Sequence, residues 1–246
     1  MRQIHPHGRT GVDPVEVYDD PRRLEQRDRP WVFVNMVASV DGATAVGGVS
    51  EALGGAADRH VFLALRSMAD GILAGASTVR AEGYGPAKVR PEFRAARAAR
   101  GQAALPRIAV CSRSLDLDWA SPLFTQSEQR PFVLAPAGAD PQRLAAAGGV
   151  AEVIATGDHE VDLSAALSRL RGAGIGALLC EGGPTLNGQL LEQGLVDELC
   201  LTISPTLAGR GSQGIVGDPA LPGMAHLELV HVLEEDGSLF LRYLVG

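Results

Sequence analysis

The chain has 246 residues, 46% of them hydrophobic, enough for one sizeable α/β domain or two small ones. A net charge of −7 and a pI near 5.4 argue against a general nucleic-acid or membrane-surface binder, so an anionic ligand would need a local cluster of arginines. Three cysteines without C-x-x-C spacing, and six histidines without H-E-x-x-H, argue against a disulfide framework and predict no metal site.

Residues 1–29 are polar, rich in charge and proline, and read as an N-terminal arm or wrapped extension. From residue 30 to 246 no linker divides the chain, which predicts a single domain. Trp31 to Ala38 reads as a buried strand, followed by a glycine-containing loop through Gly42, Gly47 and Gly48. Ala56 to Met68 has the apolar spacing of a helix, Gly71 to Gly75 that of a short strand, and Ser77 to Glu82 that of a short helix. Gly83 to Pro106 is irregular or partly helical, with Arg94, Arg97 and Arg100 as an exposed stripe. Short apolar runs at Ile108–Cys111, Phe132–Ala135 and Val150–Ala155 precede a helix over Leu163–Arg171 and a strand over Gly176–Leu179. A helix over Leu186–Gln193 and a run over Glu198–Ser204 lead to two strands, Leu227–Leu233 and Leu239–Val245, split by an Asp-Gly hairpin turn. Alternating strands and helices with an antiparallel end predict a three-layer α/β fold: a mostly parallel central sheet with a C-terminal hairpin. No signal-peptide core and no bilayer-long apolar run can be read, so a soluble cytoplasmic protein is expected.

Four segments can carry chemistry. In Cys180-Glu181-Gly182-Gly183-Pro184-Thr185, two glycines permit a tight turn and Pro184 suits a helix start, so free N–H groups and a positive helix end can meet an anion. The plain alternative is an ordinary strand-to-helix turn. Gly75-Ala76-Ser77-Thr78-Val79 is a second such junction, where a hydroxyl can cap the helix or contact a phosphate. Asp41, after the first strand, either fixes a heterocycle or steers a proton, or forms a simple Asp-Gly turn. Ser112 and Arg113 form a clamp for a phosphate monoester such as the 2′-phosphate of NADPH, or a solvated loop. Arg59 and Arg66, seven apart, project from nearly one helix face, which either reaches the mouth beside Asp41 and Ser50 and offers a phosphate a landing place or is a plain solvated face, the commoner reading for Arg59. The usual dinucleotide fingerprint G-x-G-x-x-G and the esterase motif G-x-S-x-G are both missing.

In order and spacing, the chain resembles the riboflavin-pathway pyrimidine reductase family, the reductase half of bacterial bifunctional deaminase-reductases, with its dihydrofolate-reductase-like fold. The resemblance rests on Val37–Gly42, Gly48–Ser50, Leu65–Asp70, Gly75–Val79, Glu181–Leu186, Leu195–Leu199 and Ile203–Pro205. It implies NADPH-dependent reduction of a phosphoribosylamino-pyrimidine, 5-amino-6-(5-phosphoribosylamino)uracil, by a homodimer. It further implies that Gly75, Ser77, Thr78 and Val79 line the cofactor, that Glu181, Gly182, Gly183, Pro184 and Thr185 surround its diphosphate, and that Ser112 and Arg113 take its 2′-phosphate. Asp41 would face the heterocyclic substrate, Ser50 and Arg66 would hold its ribose phosphate, and Asn35 and Glu82 would border it. The zinc-binding deaminase half is absent. Asn35 replaces a lysine frequent in the family, Ala52 a tryptophan, and Glu82-Gly83-Tyr84-Gly85-Pro86 an Asp-Asp-Pro run. These departures make a dihydrofolate or pterin reductase one alternative, and a non-catalytic NADPH-binding dimer another.

Overall fold

The computed structural model describes residues 1–209, 214–217 and 223–246. The polar N-terminal stretch forms strands β1 (Arg2–His5) and β2 (Arg9–Thr10), helix α1 (Pro14–Tyr18) and a 3-10 turn over Pro21–Leu24. There follow β3 (Trp31–Ser39), α2 (Ala56–Met68), β4 (Gly71–Gly75), α3 (Ala76–Ala81), α4 (Pro91–Ala99) and β5 (Arg107–Cys111). Then come α5 (Pro122–Thr125), β6 (Phe132–Ala135), α6 (Pro141–Val150), β7 (Glu152–Ala155), α7 (Leu163–Gly172) and β8 (Ala177–Cys180). The chain closes with α8 (Pro184–Glu192), β9 (Glu198–Ser204), β10 (Leu227–Glu235) and β11 (Ser238–Val245).

Among the described residues these strands make one sheet, in the order β2-β1-β10-β11-β9-β3-β8-β4-β5-β6-β7. The run from β9 to β7 is parallel, while β11, β10, β1 and β2 pair antiparallel. The hairpin closes through Asp236 and Gly237, both at positive φ (52° and 77°), which suits the twist of adjacent strands. Alternate side chains on β3 go to opposite faces. Val32 and Val34 join Leu167, Leu170 and Leu190 of α7 and α8; Phe33 joins Val61, Leu65 and Met68 of α2. A third cluster, under α3, α5 and α6, continues the α2 face with Ile108, Val110 and Val133. The result is three layers, as the alternation of strands and helices predicts.

Two expectations change. Residues 141–150 form a helix that the sequence conceals, because its Ala- and Gly-rich turn leaves little apolar stripe; Val150 ends it, so the next strand starts at Glu152. The segment expected to be irregular or partly helical holds α4, but the arginine stripe upon it is not uniformly exposed. Arg97 is 1% exposed and donates to the carbonyls of Ser67, Ala69 and Ala103, an interior use of arginine that helical spacing alone conceals. The N-terminal stretch takes the second of its two readings and is wrapped onto the sheet: β1 pairs with β10, and Tyr18 and Arg23 are buried.

Arg23 belongs to a buried ionic network. Glu198, fully buried on β9, accepts from Arg23, from Arg242 Nε at 2.8 Å and from Trp31 Nε1 at 3.2 Å, and Arg242 Nη2 also reaches Asp20 at 2.6 Å. Burial pushes the Glu198 carboxyl up, but the Arg23 and Arg242 guanidinium groups outweigh it and hold it down to about 2. Glu198→Gln keeps the volume and leaves two buried cations short of a counter-charge, so it should cost about 3–5 kcal/mol, read as a lower urea midpoint. Because the folded carboxyl titrates near 2 and the ordinary value is 4.5, this stability is complete above pH 4.5 and fades as pH falls toward 2. The difference between wild type and Glu198→Gln should close over that window.

Candidate active site

The parallel strands aim their carboxyl ends at one rim, where open α/β sheets collect ligands. Two strand-to-helix corners touch there. Gly75, before α3, donates its N–H to Gly182 O at 2.7 Å, and Gly183 precedes α8. No side chain caps either helix start, so the first-turn N–H groups of the nine-residue α8 remain available to an anion. The Gly182–Gly183 peptide is cis, and Gly182 has φ of 80°. A Cβ on Gly183 would stand 2.9 Å from Thr78 Oγ1, and one on Gly182 would stand 3.0 Å from Met36 Sδ. The positive φ favours glycine at 182, and a side chain at 183 would force Thr78 to move. Ser77 is exposed beside the cradle, Thr78 half-buried, and Thr185 exposed opposite. Val79 differs from the sequence expectation: its side chain lies in the core under α3, so only its backbone is available to a cofactor. Residues 214–217, which carry no recognisable motif, pack on the start of α8: Gly217 N–H donates to Pro184 O and Asn187 Nδ2 to Ile215 O, each at 2.9 Å.

Asp41 stands just past β3, exposed, with both carboxylate oxygens engaged. Oδ1 accepts from Ser39 Oγ at 2.6 Å and Ala208 N at 3.1 Å, and Oδ2 from Gly209 N at 2.8 Å. The Ser39 hydroxyl, followed by these two backbone N–H groups, holds the carboxyl down to about 2. Of the two chemical roles open to it in the sequence, the geometry favours a fixed anion that accepts hydrogen bonds over a proton donor. It also anchors the chain that follows β9.

Arg66 and Arg59 part company despite their spacing. Arg59 is exposed; Arg66 donates Nε and Nη2 to the two oxygens of Glu181, both at 2.7 Å, and lies 4.3 Å from the Phe62 ring centre. Burial lowers the Arg66 pKa, but the neighbouring Glu181 charge outweighs it and raises it overall. Tyr84 donates its hydroxyl to Glu181 Oε2, and burial followed by the Glu181 charge raises the phenol pKa. Arg66 thus spends Nε and Nη2 on Glu181, and Nη1 is the guanidinium nitrogen left without a hydrogen bond among the described residues. Glu181 directs its carboxylate at Arg66 and Tyr84 rather than at the glycine cradle, from which it is next in sequence. Tyr84 is a partner the sequence does not reveal, although it lies in the Glu82-Gly83-Tyr84 departure.

Glu82 meets Ser50 across the rim, accepting the Ser50 N–H at 2.8 Å. Asn35 is half-buried on β3, level with Cys200 of β9 and on the α2 face. On that face Asp58, in the first turn of α2, has its carboxyl pushed up by burial against the opposing effect of the Thr202 hydroxyl. It was unmarked in the sequence because a lone helical Asp carries no signature.

At the end of β5, Ser112 is buried and its Oγ accepts Leu115 N–H at 3.0 Å. Arg113 is exposed, and its Nη1 lies 2.7 Å from Glu160 Oε1, on the loop between β7 and α7. Among the described residues no group of three or more His, Cys, Asp or Glu could hold a metal, and no helix is long and apolar enough to cross a membrane.

Comparison with known proteins gives the family. A family model described as the RibD C-terminal domain matches residues 30–240. The 2,5-diamino-6-ribosylamino-4(3H)-pyrimidinone 5′-phosphate reductase of Methanothermobacter thermautotrophicus is 32% identical, over 88% of this chain and 99% of its own length. The protein of the same name from Archaeoglobus fulgidus is 29% identical, over 87% and 99%. A crystal structure of a pyrimidine reductase-like protein from Corynebacterium diphtheriae superposes with a TM-score of 0.85 at 29% identity, covering 96% of this chain and 99% of that one. A family match over residues 30–240, with relatives matched along 99% of their own length, settles the grouping: the chain belongs to the RibD C-terminal domain family.

Proposed function

We propose that this protein is an NADPH-dependent reductase of riboflavin biosynthesis, reducing a phosphoribosylamino-pyrimidine to its ribitylamino product. The observation that carries the reading is the contact of two glycine corners, at Gly75 and Gly182, on the sheet rim that also bears Asp41, a carboxylate that stays ionised. Relatives matched over 99% of their length and named for a 2,5-diamino-pyrimidinone phosphate support this substrate class. They favour the diamino form over the uracil form.

NADPH, when bound, supplies the hydride; the protein binds and orients. The free N–H groups at the start of α8, those of Gly183 and Thr185 on either side of Pro184, suit the diphosphate, and a side chain at Gly183 would crowd Thr78. Gly75, Ser77, Thr78 and the Val79 backbone form the facing wall, and Ser112 and Arg113 receive the 2′-phosphate. Asp41 uses its remaining acceptor capacity on Oδ2 for ring N–H groups and so fixes the heterocycle. Arg66 Nη1 and Ser50 hold the ribose phosphate, Glu82 steadies the Ser50 backbone, and Asn35 borders the ring. The carbon reduced is C1′ of the ring-opened Schiff base, whose nitrogen takes a proton.

The homodimer implied by the resemblance has a face available. Leu199, Leu201 and Ile203 of β9, Leu239, Leu241 and Tyr243 of β11, and Leu229 of β10 share the face opposite α2, and none is buried. Such a patch, repeated on a second copy, makes a self-complementary twofold interface.

Loss of nicotinamide absorbance on mixing with the diamino-pyrimidine phosphate tests the reading, with the uracil analogue and dihydrofolate in parallel. Turnover is expected with a pyrimidine, and oxidation only with dihydrofolate, or with none, would overturn it. Asp41→Asn should lower kcat by about a hundredfold, the cost of a misplaced reactant, while leaving NADPH affinity nearly unchanged. Leu241→Arg should yield monomers by light scattering.

A further inference from the structure

We propose that Glu160 is a specificity-determining residue for the coenzyme. Its carboxylate competes with the 2′-phosphate of NADPH for Arg113 and accepts the ribose 2′-hydroxyl of NADH, giving a site that takes both coenzymes. This rests on the coenzyme reading above, which puts the adenosine ribose at the end of β5.

The pair itself is exposed: Arg113 and Glu160 side chains are 70% and 59% accessible, and their contact is 2.7 Å. An exposed ion pair of this kind contributes little stability, so a ligand can break it. The loop carrying Glu160, however, has little room to withdraw. Gly157, at φ of 67°, packs so tightly that a Cβ there would stand 2.2 Å from Glu160 O. Ala137 N–H donates to Gly157 O at 2.8 Å, and Gly138 N–H to Asp158 O at 2.9 Å. Thr156 Oγ1 donates to Asp162 O at 2.9 Å, and the Asp162 side chain caps α7. The loop backbone is thus held from both sides. A 2′-phosphate can displace the Glu160 side chain from Arg113 only by rotating it, and the carboxylate charge stays within reach.

The surrounding charges do not relieve this. Arg143 donates to Ser114 O beside Arg113, but Asp158 sits on the same loop as Glu160. Dinucleotide sites distinguish their coenzymes by such groups: an acidic residue on the 2′-hydroxyl selects NADH, and an arginine on the 2′-phosphate accommodates NADPH. This rim holds one of each, already in contact. Their opposition predicts weak discrimination.

Fluorescence titration of NADPH and NADH into wild type, Glu160→Gln and Arg113→Gln provides the test, since both positions are exposed and tolerate substitution. In wild type the two dissociation constants should lie within about tenfold of each other. Glu160→Gln should tighten NADPH and weaken NADH, moving their ratio about tenfold toward NADPH, and Arg113→Gln should move it the other way. A ratio unmoved by Glu160→Gln, with both nucleotides still binding wild type, overturns the role of Glu160 and leaves the reductase reading intact. Failure of wild type to bind either nucleotide overturns both.

Discussion

The Gly75 N–H reaches Gly182 O at 2.7 Å, and this approach brings the starts of two helices to one spot on the rim of the sheet. The positive φ favours glycine at 182, and side chains at Gly182 or Gly183 would crowd Met36 and Thr78. The contact depends also on β8 lying beside β4, through the pairing of Leu179 with Ile72 and Cys180 with Leu73. Strand order therefore sets the distance between two loops more than a hundred residues apart in the chain. An anion lying across them meets backbone donors whose positions the sheet holds, with no reorganisation to undergo on binding.

Charge around the rim is balanced in pairs rather than left open. Asp41 is kept ionised by a hydroxyl and two backbone N–H groups, Glu181 faces Arg66, and Glu160 faces Arg113. A site so neutralised attracts ligands weakly at long range and selects them by direction and hydrogen-bond pattern at contact. Differences in burial decide which pairs yield. The Arg66–Glu181 fork is largely buried and reinforced by Tyr84, so it behaves as a fixed wall, whereas the Arg113–Glu160 pair is solvated and can open.

The N-terminal stretch lies outside the family match at residues 30–240, yet it stabilises the strands that bear the site. Arg23 enters the buried network around Glu198, while Arg27 and Arg29 bind Asp197, which also accepts the Val32 N–H at 2.8 Å. These contacts join the beginnings of β3 and β9. The far ends of the same two strands carry Asp41 and the Ala208–Gly209 backbone that it holds. Rigidity at one end of the pair thus supports geometry at the other.

Much of the fold was legible in local pattern. The apolar runs of β3, β4 and β8 and the Asp236-Gly237 turn state their structure through periodicity and backbone freedom, as do the glycine-to-helix corners at 75 and 183. Helix α6 was not, because alanine and glycine leave too little contrast between its faces, and neither were the contacts of the wrapped arm, which are ionic and remote. Among the candidate site residues, the sequence by itself determined their chemical types and their places at strand ends. Only the tertiary structure decided that Arg66 is spoken for by Glu181, that Val79 is core, and that Tyr84 and Glu160 stand opposite charged partners. Periodicity and turn chemistry act between near neighbours, whereas ion pairing and burial depend on which distant strands the sheet sets side by side.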